Sequence, residues 1–319
     1  MSLVSLSEVL QQADEGKYAV GAFNVSSLNQ VEAIVEAAQN QHSPVILMAL
    51  AGVSAYDNET QWWKNLRFRL EQDISVPVVL HLDHGSNVDD CYKAVDMGFT
   101  SVMIDASRDP VSGKANSYDH NVETTLKVVD YAGQYKVCVE GEIGTIGGGG
   151  EGDQVRAVDD ITYTSPDEAQ EFATTTGVNA LAIGVGTSHG SVKYPPGMQP
   201  HLRMDLISDI HTRIPDTYLV LHGSSSIDAD DVAMINAYHG ELPPSCGIDD
   251  KEKQEAIAAG IRKINQGTDS HLAFTAAVRK YMAQHREQVD PYTYLKPGIV
   301  AMQQLAERRM QLFGSAGKA

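Results

Sequence analysis

The chain of 319 residues contains no run near the roughly 20 apolar residues that a helical membrane span requires. Its opening residues, Met-Ser-Leu-Val-Ser-Leu, lack a basic segment followed by an apolar one, so no secretory signal is expected. Cysteine is scarce. Cys91, Cys138 and Cys246 are odd in number and have neither the spacing of a disulfide framework nor that of a CxxC metal site, which points to a reducing, cytoplasmic compartment. Positive charge is also short: 24 Lys and Arg face 42 Asp and Glu, a formal net charge of −18. Such a surface repels nucleic acid and anionic membrane, and neither is an expected partner. A local cationic site in so acidic a protein is most simply made with a metal ion. No tandem repeat is present and no stretch rich in Pro, Gly or Ser divides the chain, so one domain over 1–319 is expected.

Hydrophobic residues make up 42% of the chain, enough to bury a sizeable core. Short Val- and Ile-rich runs at 19–23, 45–49, 78–81, 101–104, 137–139, 180–183, 218–221 and 261–264 read as strands. Helix-like periods lie between them at 28–39, 88–97, 122–131, 166–172, 228–238 and 271–285, with a last one over 297–313. Eight strands interleaved with helices predict a parallel α/β protein, and eight is the number that closes a (β/α)8 TIM barrel. An open doubly wound sheet is the alternative, weakened because no glycine fingerprint follows the first strand. Three segments read as loops or insertions: a polar stretch at 105–121, a glycine-rich mobile lid at 144–162 after strand 5, and 240–250, expected outside the barrel body.

Active sites of such barrels lie where strands end. Here the strand ends carry Asp83-His84-Gly85, Asp105, Glu140-Gly141-Glu142, His189-Gly190, His222-Gly223 and Asn265-Gln266-Gly267-Thr268-Asp269. A lone strand-end histidine is ordinarily a hydrogen-bonded structural residue. Three of them, each followed by Gly, converge instead as a three-imidazole set, the ligand pattern of a catalytic zinc with an open position. Asp83 reads either as a turn former or, beside a bound ion, as a proton shuttle. Glu140 and Glu142 share a face by the two-residue period of a strand, and spacing does not say which is a ligand. The turns after the seventh and eighth strands suit phosphate binding on backbone N–H groups, and Thr268 or Asp269 suits a helix N-cap.

These motifs, with Ala22-Phe23-Asn24-Val25, Ser101-Val102-Met103-Ile104-Asp105, Gly186-Thr187-Ser188-His189-Gly190 and the segment from Leu272 to Lys280, closely resemble the class II, metal-dependent fructose-bisphosphate aldolases over nearly the whole chain. His-Gly-Ser-Ser-Ser, the 240–250 insertion and the tail from Phe313 to Gly317 are most similar to the branch associated with the Calvin cycle. The resemblance implies reversible cleavage of fructose 1,6-bisphosphate to dihydroxyacetone phosphate and glyceraldehyde 3-phosphate. It implies that His84, His189 and His222 hold Zn2+ or another divalent ion that polarises the ketone and stabilises the enediolate, and that Asp105 and Glu142 match a second or alternative metal location. It further implies Asp83 as proton donor and Glu151, on the glycine-rich loop, as general base. Asn24, Gly190, Gly223, Ser225, Asn265 and Thr268 match positions that bind substrate, with a monovalent cation often beside the phosphate. Lys296 matches a basic residue that reaches a neighbouring subunit's substrate, which implies a homo-oligomer, a dimer or tetramer.

Three departures from the family pattern stand out. Gly267 replaces a substrate-contacting aspartate, Leu50 stands where a serine is usual, and the lid lacks an adjacent acidic pair. They leave three alternatives open: an aldolase for another ketose (tagatose or sedoheptulose bisphosphate, or a sulfonated or singly phosphorylated sugar), a non-catalytic aldolase-like scaffold, and a barrel metal hydrolase.

Overall fold

The computed structural model describes residues 2–109, 112, 114–144, 162–189, 194 and 200–319. Eight strands form it: β1 (Val20–Asn24), β2 (Val45–Leu50), β3 (Val78–Gly85), β4 (Ser101–Ile104), β5 (Cys138–Ile143), β6 (Ala180–Ile183), β7 (Tyr218–Leu221) and β8 (Ile261–Gln266). They pair in parallel and in chain order, and β8 closes the barrel on β1 with Val20 opposite Lys263 and Ala22 opposite Asn265. The expected (β/α)8 barrel is therefore the fold. The lid segment 145–161 lies outside the described residues, and with it Glu151.

Helices α1 (Leu6–Gly16), α2 (Leu28–Gln41), α3 (Glu59–Leu70), α4 (Val88–Asp96), α5 (Tyr118–Gln134), α6 (Pro166–Thr176), α7 (Met204–Arg213), α8 (Ala229–Ala237), α9 (Asp250–Ala259), α10 (Thr268–Gln284) and α11 (Pro291–Phe313) accompany the strands. Several start where a short polar side chain caps a free N–H: Ser5 accepts from Glu8, Asn87 from Asp90 and Ser117 from His120. Four helices were not expected from periodicity: α1, α3, α7 and α9. In α3 only Trp62, Trp63, Leu66 and Leu70 are buried, a narrow stripe in a polar segment. The last helix starts at Pro291 and runs through Pro297 instead of beginning there. Proline suits the first turn of a helix, and here Pro291, not Pro297, occupies it.

The side chains sort into two apolar compartments by strand parity. Ala19, Phe23, Leu80, Leu82, Leu219 and Leu221 face the helices, whereas Val20, Ala22, Met48, Val79, Met103, Ala180 and Val220 fill the barrel interior. Leu6, Val9, Leu10 and Ala13 of α1 join that interior group and plug the N-terminal mouth. Two polar contacts pin the plug: Ser7 meets Cys138 at the start of β5, and Asp14 accepts from Arg262 near the start of β8 at 2.7 Å. The C-terminal end of the chain is tied back as well. Phe313 O accepts from Ala19 N, and Gly317 N and Ala319 N donate to Gln41 and His42. Among the described residues no helix is long and apolar enough to cross a membrane.

The 240–250 segment departs from expectation because its second half returns to the barrel. Gly247 N and Ile248 N donate to Ser226 and Ser225, and a Cβ on Gly247 would fall 2.0 Å from the Ser225 carbonyl oxygen.

Truncating the plug tests this division of the molecule. Leu10→Ala should cost about 2–5 kcal/mol in equilibrium urea unfolding, the range for a buried leucine. Metal uptake by the folded variant should be unchanged, because Leu10 lies at the mouth opposite His84. A coupled loss of metal uptake would show that the two ends are not independent.

Candidate metal centre at the C-terminal mouth

Parity alone puts Asp83 inside the barrel and His84 on its outer face. The structure brings both to the mouth. The β3–β4 register shifts between Leu82 and Gly85, and His84 adopts φ +46°, a conformation rare for residues with a Cβ. That local distortion turns the imidazole inward beside Asp83. His222 needs no such device: it follows β7 directly and continues the inward series of Tyr218 and Val220. His189 lies in the loop after β6, six residues beyond Ile183, and not at the strand end itself. Gly223 holds the two loops together. It has φ +62°, and a Cβ there would sit 2.7 Å from the Ser188 carbonyl oxygen.

The three imidazoles meet edge to face, with ring centroids 5.0 Å apart for His84 and His189, 4.7 Å for His84 and His222, and 5.9 Å for His189 and His222. Each offers a ring nitrogen within 4.8 Å of the others, and His84 also forms a second such group with Asp105 and Glu142. The two groups use different edges of the His84 ring. Nε2 lies 3.0 Å from His222 Nδ1, and Nδ1 lies 3.1 Å from Asp105 Oδ2. Asp105 is fixed by its backbone N–H to Gly85 O and by Ser107 Oγ at 2.7 Å.

Electrostatics in the metal-free protein follow from this crowding. Burial opposes a charged imidazole at His84, but Asp83, the Asp105 hydrogen bond and Glu142 outweigh it and raise its pKa to about 10. Burial likewise opposes the Asp105 carboxylate, yet the His84 hydrogen bond and charge hold it down at about 2. His222 is driven well below the ordinary histidine value by burial, then by His84 and Lys263. Glu142 is driven well above the carboxylate range by burial and then by Asp105. The crowding thus favours the charged form of His84 and of Asp105 and the neutral form of His222 and of Glu142. Glu142 Oε2 is buried without a hydrogen-bond partner. Three imidazoles, nearby carboxyls and an orphaned buried oxygen suit a divalent cation.

Asp83 stands beside this cluster, 4% exposed, with Oδ1 4.0 Å from His84 Nε2. Asn24 Nδ2 donates to its Oδ2 at 2.8 Å and Asn265 Nδ2 to its Oδ1 at 3.2 Å. Burial disfavours its charge, but His84, His222 and Lys263 prevail, and its pKa lies below the usual value.

The other sequence-derived candidates divide. Gly223 and Ser225 are buried in the turn after β7, and Thr268 opens α10. The N-cap of α10 is Gly267, not Thr268 or Asp269. Asp269 instead accepts from Ser226 N and Ile227 N and pairs with Arg309, tying the two turns to α11. Lys296 is exposed in an outer groove with Tyr281, Tyr292 and Val300, none of which belongs to the His84 cluster. Gly190 lies outside the described residues. Strand-end position does not mark His81 and Lys263 of the inner layer, and it leaves the role of Glu140 open. The signal was available, since each lies two residues before a mouth residue (Asp83, Asn265, Glu142) and so faces the same way.

A parallel barrel with three imidazoles and flanking carboxyls at its C-terminal mouth defines a candidate barrel metalloenzyme. The sequence profile described as fructose-bisphosphate aldolase class-II matches residues 4–318, and the chain belongs to that family of lyases. It is 41% identical over 331 residues to a fructose-bisphosphate aldolase of Nostoc commune, covering 100% of this chain and 92% of that one. A fructose-bisphosphate aldolase of Giardia intestinalis is 40% identical over 321 residues, covering 100% and 95%. Among solved structures, the YdjI aldolase from Escherichia coli K12 superposes with a TM-score of 0.77 at 26% identity, covering 99% of each chain.

The His84 pKa of about 10 sets a test of the ligand set. A metal binding His84 must displace its proton, so uptake at neutral pH should release protons into a weakly buffered indicator solution. Apparent affinity should rise about tenfold per pH unit for each proton displaced. Uptake without proton release would remove His84 from the ligands.

Proposed function

We propose that the chain is a divalent-metal-dependent aldolase that reversibly cleaves fructose 1,6-bisphosphate to dihydroxyacetone phosphate and glyceraldehyde 3-phosphate. The observation that carries this reading is the buried Asp83 carboxylate held by two asparagines against the three-imidazole cluster. His84, His189 and His222 would hold Zn2+ or another divalent ion, and Asp105 with Glu142 would share His84 in an alternative location. A bound divalent ion supplies a Lewis acid for the negative charge left on the ketone half when the carbon–carbon bond breaks.

Asp83 is an ionised acceptor at rest, with both oxygens already oriented. In cleavage it takes the hydroxyl proton of the carbon that becomes the aldehyde, and in condensation it returns that proton as the acid. Gly223, Ser225, Asn265 and Thr268 border the turns after β7 and β8, which suit a phosphate with an accompanying monovalent cation. Asn24 orients Asp83 and faces the same space. Gly190 would join the phosphate turns and Glu151 would serve as base on the ketone half. Lys296, apart from its own chain's cluster, suits a neighbour's substrate in a cytoplasmic homo-oligomer.

One observation favours a second reading, an aldolase for a different ketose. Leu50 lies in register with Asp83, on the inward parity of Ile46 and Met48, and gives the mouth an apolar wall.

A coupled cleavage assay on metal-loaded protein with a ketose panel separates the two. Chelator-sensitive cleavage of fructose 1,6-bisphosphate is expected; preference for another ketose would make Leu50 and Gly267 the specificity positions. Asp83→Asn should lower kcat by about 100- to 10,000-fold, the range for a positioned proton-transfer group, with metal content unchanged. Equal activity in that variant would take the proton-transfer role from Asp83.

A further inference from the structure

Beneath the mouth, the barrel interior holds a layer of ionisable groups where such barrels are ordinarily filled with branched apolar residues. Glu140, Lys263, His81 and His222 are all 0% exposed. Lys263 Nζ lies 3.1 Å from Glu140 Oε1 and 2.8 Å from Oε2. His222 Nε2 lies 2.8 Å from that same Oε1, while its other nitrogen faces His84.

Donor and acceptor chemistry constrains the arrangement. An ammonium only donates: Nζ hydrogen-bonds Oε1 and lies in ion-pair contact with Oε2, and paired with it the Glu140 carboxylate presents acceptors alone. The His222 nitrogen that meets Oε1 must then carry the ring proton, which leaves the lone pair on Nδ1, directed at His84. The competing neighbour of Nε2 is Asn265 Nδ2 at 3.2 Å, a longer contact from an amide that already donates to Asp83. A buried ion pair is expensive to desolvate and adds little net stability against an apolar pair of similar volume. Its presence here is explained by what it does to His222.

We propose that Glu140 and Lys263 are positioning residues: Glu140 fixes the tautomer and tilt of His222 so that Nδ1 is the ligand nitrogen, and Lys263 fixes Glu140. This deepens the metal-centre reading and rests on it. Outer partners of ligating histidines contribute about 10- to 100-fold in metal affinity.

The test begins with the metal-free protein labelled with 15N-histidine, the His222 resonances being assigned by their loss in His222→Gln. Long-range proton–nitrogen correlations should show His222 protonated at Nε2; protonation at Nδ1 would overturn the proposal. The second arm measures Co2+ affinity by chelator competition, together with the visible spectrum of the bound ion. The double variant Glu140→Met with Lys263→Met removes both charges, and its melting temperature is expected near that of the parent. Its Co2+ affinity should nevertheless fall about 10- to 100-fold, with an altered spectrum. Glu140→Gln, which keeps the side-chain shape, should weaken binding in the same direction and serves if the double variant does not fold. Unchanged Co2+ affinity in a folded variant would reduce the pair to a structural role and overturn the inference. Failure of the parent protein to take up Co2+ would instead overturn the metal-centre reading beneath it.

Discussion

Closure of the sheet is the constraint on which the site depends. When β8 pairs with β1, every inward side chain of eight strands shares one narrow space, and none can turn away to solvent. The lower part of that space is filled by small and branched residues with α1 as its plug. The upper part is polar, and each polar group there is close to several others because the barrel leaves no alternative. The Asp83, His84, Asp105, Glu142 and His222 cluster is thus produced by the same geometry that excludes water from the core.

Crowding like charges and neutral polar groups in this way is unfavourable unless they compensate one another. The compensation is visible pair by pair: Asp105 with His84, Glu140 with Lys263, Asp83 with two amide donors. Glu142 Oε2 is one of the buried polar atoms left without a hydrogen-bond partner among the described residues. In so acidic a protein the neighbouring carboxyl groups favour the positively charged form of His84.

Much of this was legible in the residues themselves. Strand runs, their number and their interleaving gave the barrel, because buried parallel strands need continuous Val, Ile and Leu. The His-Gly pairs and strand-end carboxyls pointed to the mouth for the same reason. Other features depend on tertiary context. His84 reaches the interior only through a register shift and a positive φ that no local pattern announces. Lys263 looks like an ordinary strand lysine until its partner across the barrel is known. Helices α3 and α9 bury too narrow a stripe to stand out, and Asp269 resembles a cap although it spends its oxygens on a neighbouring turn.

The bonds from the end of the chain back to its beginning have a consequence for biosynthesis. Arg309 holds Asp269 and Ser226 at the mouth, Phe313 pairs with Ala19, and Ala319 with His42. A ribosome delivers Arg309, Phe313 and Ala319 long after the residues they hold. Until β8 has emerged the first strand has no closing neighbour, and until Arg309 follows the turns beside the His84 cluster lack their anchor. Over that interval the unpaired edges of the growing sheet are open to wrong pairing.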